Sequence, residues 1–303
     1  MPKDVDLILG TAQFGLDYGI TNSDGRVGEE ALDLILQQAR ERLHWLDTSI
    51  KYGNALSRLC RDSARPFAIV TKIDGADPAG ISGEIDETLR ELGRDRLDVV
   101  LFHTPAIFDD RVRASEAAAA LQDEVSRGRV SRIGASLYDA REVGLALAAF
   151  TPQVLQMPAS VADRRLLADG TAADLERAGI EVHYRSAFLQ GLLLSTPERL
   201  APQFGALVPL LVALDALAER LNVTRQALCM QWVMSMPAAR GIVCGVAKPD
   251  ELEALIAAHR TAAVRDNARD IAEIAGKVEL DAALLDPRIW PKLDSAAKLT
   301  GRI

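Results

Sequence analysis

The sequence predicts a (β/α)8 TIM barrel, eight parallel strands closed on themselves, with a long loop after the seventh strand and a C-terminal tail. Three observations predict it. Eight short apolar runs alternate with longer segments of helical period. The runs are apolar on both faces, as strands buried under helices are, and do not alternate as in a half-exposed antiparallel sheet. An open doubly wound sheet would carry G-x-G-x-x-G after its first strand; here Thr11-Ala12-Gln13-Phe14-Gly15 stands instead, and no later strand supplies the motif.

The strands are expected at Leu7–Gly10, His44–Asp47, Phe67–Lys72, Leu97–His103, Val130–Ala135, Gln153–Met157, Ile180–Tyr184 and Gly241–Val246. Between the first two, Glu29–Leu43 repeats Leu32, Ile35, Leu36, Ala39 and Leu43 on one helix face. Ile81–Leu92 reads as a helix stopped by Gly93, Ser115–Val125 ends before Gly128, and Leu175–Ala178 ends before Gly179. The seventh strand is followed by a polar loop, Ser195–Pro209, and then by two helices. The first, Leu210–Leu221, ends near Asn222; the second, Arg225–Met236, takes Thr224 as its N-cap. Pro249–Ala258 opens on a proline, suited to a first helical turn. A further helix, Val264–Val278, and a tail with Pro287, Trp290 and Pro291 complete the chain. No linker divides the 303 residues, so residues 1–303 read as one domain, the barrel covering about 7–258 and the extra helix and tail 259–303.

A net charge of −8 argues against nucleic acid as a partner, since that calls for clustered Lys and Arg. No apolar run approaches the roughly 20 residues of a membrane helix, and Lys3, Asp4 and Asp6 leave no apolar leader core after Met1. Cys60, Cys229 and Cys244 are an odd number without CxxC spacing. Reduced thiols in a cytoplasmic protein follow as the expectation.

In a barrel, the C-terminal ends of the strands converge on one mouth. Asp47 and Tyr52, then Lys72, then His103 stand at or just beyond three successive strand ends. Taken singly, a strand-end Asp caps a helix and a strand-end Lys snorkels to water; their coincidence at one mouth points to chemistry. Tyr52 is a phenol, protonated at neutral pH and a reluctant donor. Lys72 beside it is expected to pull its pKa down, Asp47 to hold Lys72 charged, and His103 to direct a carbonyl oxygen toward Tyr52. The other histidines, His44, His183 and His259, lack matching ligands, so no metal site is expected.

These segments resemble the aldo-keto reductase superfamily. The resemblance is carried by Leu9-Gly10-Thr11-Ala12-Gln13-Phe14-Gly15, by Leu46-Asp47-Thr48-Ser49-Ile50-Lys51-Tyr52-Gly53-Asn54, by Val70-Thr71-Lys72 and by Leu101-Phe102-His103. It runs from about Leu7 to Ala258 and implies a reductase or dehydrogenase with Tyr52 as general acid, Lys72 and Asp47 tuning it, and His103 positioning a small-molecule carbonyl substrate.

For the cofactor, the resemblance implies NADPH, with NADH the alternative. Ser136 and Gln156 fit the positions that hold the nicotinamide amide, whereas Leu137 stands where the family carries Asn. Arg185 replaces a tyrosine expected to stack on the nicotinamide; its planar guanidinium can take that role or equally contact a pyrophosphate. Ser186, Leu189 and Gly191 resemble the loop over the pyrophosphate. Gly245, Lys248 and Glu251 fall in the adenosine-phosphate region, where N–H groups opening the Pro249 helix suit phosphate. Lys248 is the candidate for holding a 2′-phosphate, and Glu251 would repel one.

Phe14, Tyr18, Phe108 and Trp290 are candidate pocket walls. The Gly10–Gly19 opening and Phe188–Leu193 resemble a bacterial branch associated with sugar and polysaccharide metabolism, which implies a sugar-derived aldehyde or ketone. Two other readings stand beside this one. A cofactor-binding regulatory protein of the same fold would have little turnover, and a Schiff-base lyase would use Lys72 as nucleophile.

Overall fold

A computed structural model of the chain describes residues 4–200, 202–261, 268–278 and 280–290. The eight strands are β1 (Asp6–Gly10), β2 (Trp45–Asp47), β3 (Ala68–Ile73), β4 (Leu97–Phe102), β5 (Val130–Ser136), β6 (Val154–Pro158), β7 (Glu181–Arg185) and β8 (Ala239–Gly245). Each pairs in parallel with the next, and β1 pairs with β8, closing a barrel in the order β1 to β8. The expected strands stand within two residues at each end. His103 falls just past β4, though its N–H still donates to the Ile73 carbonyl.

The longer helices are α1 (Glu29–Ala39), α2 (Ile81–Leu92), α3 (Arg111–Ser126), α4 (Ala140–Ala149), α5 (Thr171–Arg177), α6 (Val208–Leu221), α7 (Arg225–Met234), α8 (Pro249–Arg260) and α9 (Ala268–Gly276). α1 buries Leu32, Ile35, Leu36 and Ala39 but stops there, four residues short of Leu43, as the chain turns toward β2. α2 ends on Gly93, left-handed at φ 62°, a conformation glycine adopts without steric cost. α3 begins earlier than its apolar pattern, because the Asp110 carboxylate accepts from Val112 and Arg113 and caps it. α4 is not among the elements that periodicity predicts; Asp139 caps it by accepting the Glu142 N–H. After β7 the chain is compact, running through 3-10 turns at Leu192–Leu194, Pro197–Arg199 and Pro202–Leu207 into α6. Asn222, left-handed, ends α6, and Thr224 caps α7.

α9 occupies the middle of the expected Val264–Val278 helix; residues 262–267 lie outside the described residues, as does Pro291. Trp290 packs edge-on against Phe204 and donates to the Leu284 carbonyl at 3.1 Å. Among the described residues no helix is long and apolar enough to cross a membrane.

Candidate active site

Asp47, Lys72 and Gln156 end or nearly end β2, β3 and β6, and together they floor the barrel mouth. Lys72 Nζ donates to both Asp47 carboxylate oxygens, at 2.7 and 2.8 Å, and to the Thr48 carbonyl at 3.1 Å. Gln156 Nε2 donates to Asp47 Oδ2 at 2.7 Å. Lys72 and Asp47 are almost wholly buried, so the pair survives only because each charge has its partner and its remaining hydrogen bonds. Burial pulls the Lys72 pKa down, and Asp47 opposes that. With three acceptors taken and almost no exposure, the Lys72 amine is not placed to attack a carbonyl carbon, which removes the ground for a Schiff-base reaction.

Tyr52 lies above this pair, the Lys72 ammonium 5.1 Å from its ring centroid. Two glycines bring it there. A Cβ on Gly15 would overlap the Tyr52 carbonyl, and Gly53, at φ 57°, holds a turn whose own Cβ would press on the Gly15 carbonyl. The glycines of the Thr11–Gly15 and Tyr52–Gly53 segments are thus one contact.

The Tyr52 phenol is held above its ordinary pKa, first by burial and then by the Asp47 carboxylate, while Arg185 works in the opposite direction. This corrects the expectation that Lys72 pulls it down. The Lys72 charge is compensated at short range by Asp47, so little of its field is left for the phenol. Proton donation still runs downhill once an alkoxide forms, since an alkoxide is a stronger base than a phenolate.

His103 meets Tyr52 edge to face, ring centroids 6.0 Å apart. Burial, then Lys72, Lys51 and Arg185, push its pKa down to about 3, so the ring is neutral at physiological pH. Ser49 Oγ lies 2.9 Å from His103 Nδ1 and accepts the Lys51 N–H at 3.1 Å. The Ser49 hydroxyl can donate to Nδ1, and in that arrangement the ring hydrogen stands on Nε2. Ser49 is a site residue that sequence reasoning misses, because a small residue between Thr48 and Ile50 carries no signal of its own.

A cavity of about 480 Å³ opens from this floor across the barrel mouth. Asp47, Tyr52, Gln156, Arg185, Ser186, Gly191, Gly245 and Glu251 are among the residues that line it. Of the remaining sequence candidates, Ser136 is buried beside Gln156 in the β5–β6 register. Leu189 is buried at φ 48°, shaping the loop from beneath. Lys248 pairs with Asp24 at 2.8 Å. Tyr18 lines the cavity; Phe14 and Phe108 are core residues, Phe108 stacking on Phe150, so neither walls a pocket. Trp290 lies against Phe204, away from the residues lining the cavity.

The β1–α1 loop also enters the cavity wall, a contribution with no periodic signal. Ile20 N–H donates to Gln190 Oε1 at 3.1 Å, and Thr21 Oγ1 donates to the Gln190 carbonyl at 2.9 Å. Across the mouth, the Arg185 guanidinium lies 4.2 Å from the Tyr138 ring centroid. Arg288, from the tail, lies 3.6 Å from the same centroid. Among the described residues no group of three or more His, Cys, Asp or Glu is placed to hold a metal ion.

A family model described as the aldo/keto reductase family matches residues 6–276. The chain belongs to that family. It is therefore an oxidoreductase that moves hydride between a nicotinamide cofactor and a carbonyl or alcohol group. A curated relative, the NADH-specific methylglyoxal reductase of Escherichia coli (strain K12), is 24% identical over 268 residues, covering 75% of this aldo/keto reductase and 82% of the relative. Solved structures agree on the fold. The aldo-keto reductase AKR11C1 of Bacillus halodurans superposes with a TM-score of 0.73 at 16% identity, over 93% of this chain and 95% of that one. The glycerol dehydrogenase AKR11B4 of Gluconobacter oxydans gives 0.72 at 19% identity, over 91% and 94%.

The cavity fits the family's cofactor. Its lining brings together the buried polar floor of Asp47 and Gln156 and residues at the opening of α8. Gly245 also leaves room at the wall, where a Cβ would collide with the Gln13 side chain.

Proposed function

We propose that this aldo/keto reductase reduces small polar aldehydes or ketones, sugar-derived ones among them, with NADH as the preferred cofactor. The observation that carries the cofactor preference is the charge around Lys248. Its ammonium pairs with Asp24, and Glu251 and Asp250 also face it, so one cation sits among three carboxylates. Glu251 lines the cavity and accepts the Ala247 N–H at 2.7 Å. A carboxylate there accepts ribose hydroxyls and repels a 2′-phosphate, which supports placing NADH ahead of NADPH in this reading. The relative named as NADH-specific is consistent with that order.

When bound, the reduced nicotinamide supplies hydride: the carbonyl compound, NADH and one proton give the alcohol and NAD⁺. The chain's own residues do the rest in this reading. Gln156 and Ser136 orient the ring amide. The neutral His103, with its hydrogen on Nε2, donates to the carbonyl oxygen and holds it beside Tyr52. Tyr52 keeps its proton until negative charge develops on that oxygen, then transfers it. Asp47 and Lys72 keep the floor rigid and dry.

Titration of the purified protein with NADH and NADPH, read by cofactor fluorescence, tests the preference. NADH is expected to bind at least about tenfold more tightly, the scale of one unfavourable charge contact. Replacing Glu251 and Asp250 together by their amides should narrow the difference. Tighter binding of NADPH would sink the assignment of the adenosine end.

A further inference from the structure

Among the described residues, Arg185 is a cation without a counter-ion. Its guanidinium is supported by the Tyr138 face and donates to the Leu137 carbonyl at 3.4 Å, and it makes no ion pair there. Arg288 provides the contrast. It contacts the same Tyr138 ring, and its charge is met by Asp286 at 2.7 Å and Glu142 at 3.4 Å. The tail thus holds Tyr138, and Tyr138 in turn supports Arg185.

The cavity that Arg185 lines has carboxylates, but each is engaged. Asp47 is tied to Lys72 and Gln156, Asp24 to Lys248, and Glu251 to the Ala247 N–H. Arg185 nevertheless acts on the chemistry end, where its field reaches Tyr52, His103, Lys72 and Tyr18. A rigid, unpaired guanidinium presents a fork matched to a carboxylate or phosphate.

From this we infer that the carbonyl substrate is itself an anion, an aldehyde or ketone carrying a carboxylate or phosphate that pairs with Arg185 while its carbonyl lies at Tyr52 and His103. The inference rests on the reductase reading of this cavity and narrows it. The redox balance is unchanged, since the anionic group binds and does not react: an oxo-acid plus NADH and H⁺ gives the hydroxy-acid and NAD⁺. The cofactor pyrophosphate is the other anion that could answer Arg185. Ser186, Gly191, Arg199 and the opening of α8 also line the cavity and offer that group donors of their own, so it does not require Arg185.

The test compares 4-oxobutanoate with pentanal, and glyceraldehyde 3-phosphate with glyceraldehyde, in the NADH-loaded enzyme and its Arg185→Gln variant. The wild-type enzyme should favour the anionic member of each pair in kcat/KM. In Arg185→Gln the anionic-to-neutral ratio should fall at least about tenfold, a charge-assisted hydrogen bond's share, with partial recovery in Arg185→Lys. The ratio cancels any loss common to both substrates. Calorimetric titration with succinate and succinamide gives a second readout that needs no turnover: succinate alone should bind, and only while Arg185 is present. An unchanged ratio with NADH affinity reduced tenfold would assign Arg185 to the pyrophosphate and overturn the inference. Equal binding of succinate and succinamide would also overturn it. If no carbonyl is reduced but succinate still binds through Arg185, the reductase reading fails and the anion site stands.

Discussion

In the proposed reaction Tyr52 and His103 carry the two hydrogens that meet the substrate oxygen, and Ser49 stands against the far nitrogen of His103. Tyr52→Phe deletes the acid and keeps the ring over Lys72, so kcat is expected to fall by about a hundredfold or more. NADH affinity, followed by fluorescence, should stay within about twofold; full activity in that variant would remove the proposed mechanism. Ser49 acts one step back, through His103 Nδ1. In Ser49→Ala nothing donates to Nδ1, the other tautomer becomes available, and the hydrogen aimed at substrate is no longer fixed. A drop in kcat of about tenfold is expected, with restoration by Ser49→Thr. Histidine NMR should report the change directly, as a shift of the Nδ1 and Nε2 resonances toward a mixed tautomer. A purely structural role for Ser49 would leave those resonances where they are.

At the scale of elements, the chemistry was legible because it sits on strand ends. Asp47 and Lys72 stand at the ends of apolar runs, and a parallel barrel delivers such positions to one mouth, whereas Gln156 stands inside β6 and is marked by the family resemblance alone. The β1–α1 loop was not legible. Its bonds to Gln190, and the pairing of Asp24 with Lys248, join segments far apart in sequence whose meeting no local pattern records. The direction of the Tyr52 shift was also beyond the sequence, because it depends on how closely Asp47 cancels Lys72 and on burial. The loop makes a prediction of its own through Gly15, whose hydrogen faces the Tyr52 carbonyl. Gly15→Ala must push the Tyr52 turn away, so both kcat and the melting temperature should fall, whereas Gly28→Ala, with open space around it, should leave both nearly unaltered. Similar melting temperatures for the two variants would show that the contact does not position Tyr52.

For the whole molecule, acid is the weak direction. His183 is buried and His103 largely so, and desolvation takes each pKa down to about 3. Their unfolded values lie near 6.5. Between those limits the unfolded chain binds protons that the folded one refuses, so stability is full above about pH 6.5 and declines as pH falls toward 3. At pH 5.5 the two together should cost about 3 kcal/mol relative to pH 7.5. Urea unfolding at those two values measures it, and His183→Asn should remove about half of the difference. A midpoint that does not move over that interval would mean that these rings protonate freely in the fold.

The floor beneath Tyr52 carries one more implication. Enzymes commonly sacrifice fold stability at their working centres, so that disabling substitutions there make the protein sturdier. Here Gln156 on β6 reaches Asp47 on β2, and Lys72 on β3 reaches the same carboxylate: a brace thrown across the open end of the cylinder. Deleting either charge strands the other in a dry interior. Lys72→Met and Asp47→Ala should therefore melt at lower temperature as well as turn over slowly, while Lys72→Met with Asp47→Leu should regain much of the melting temperature and none of the turnover. In this protein the usual bargain between durability and activity runs backwards, and a search for hardier variants has to begin elsewhere than at its mouth.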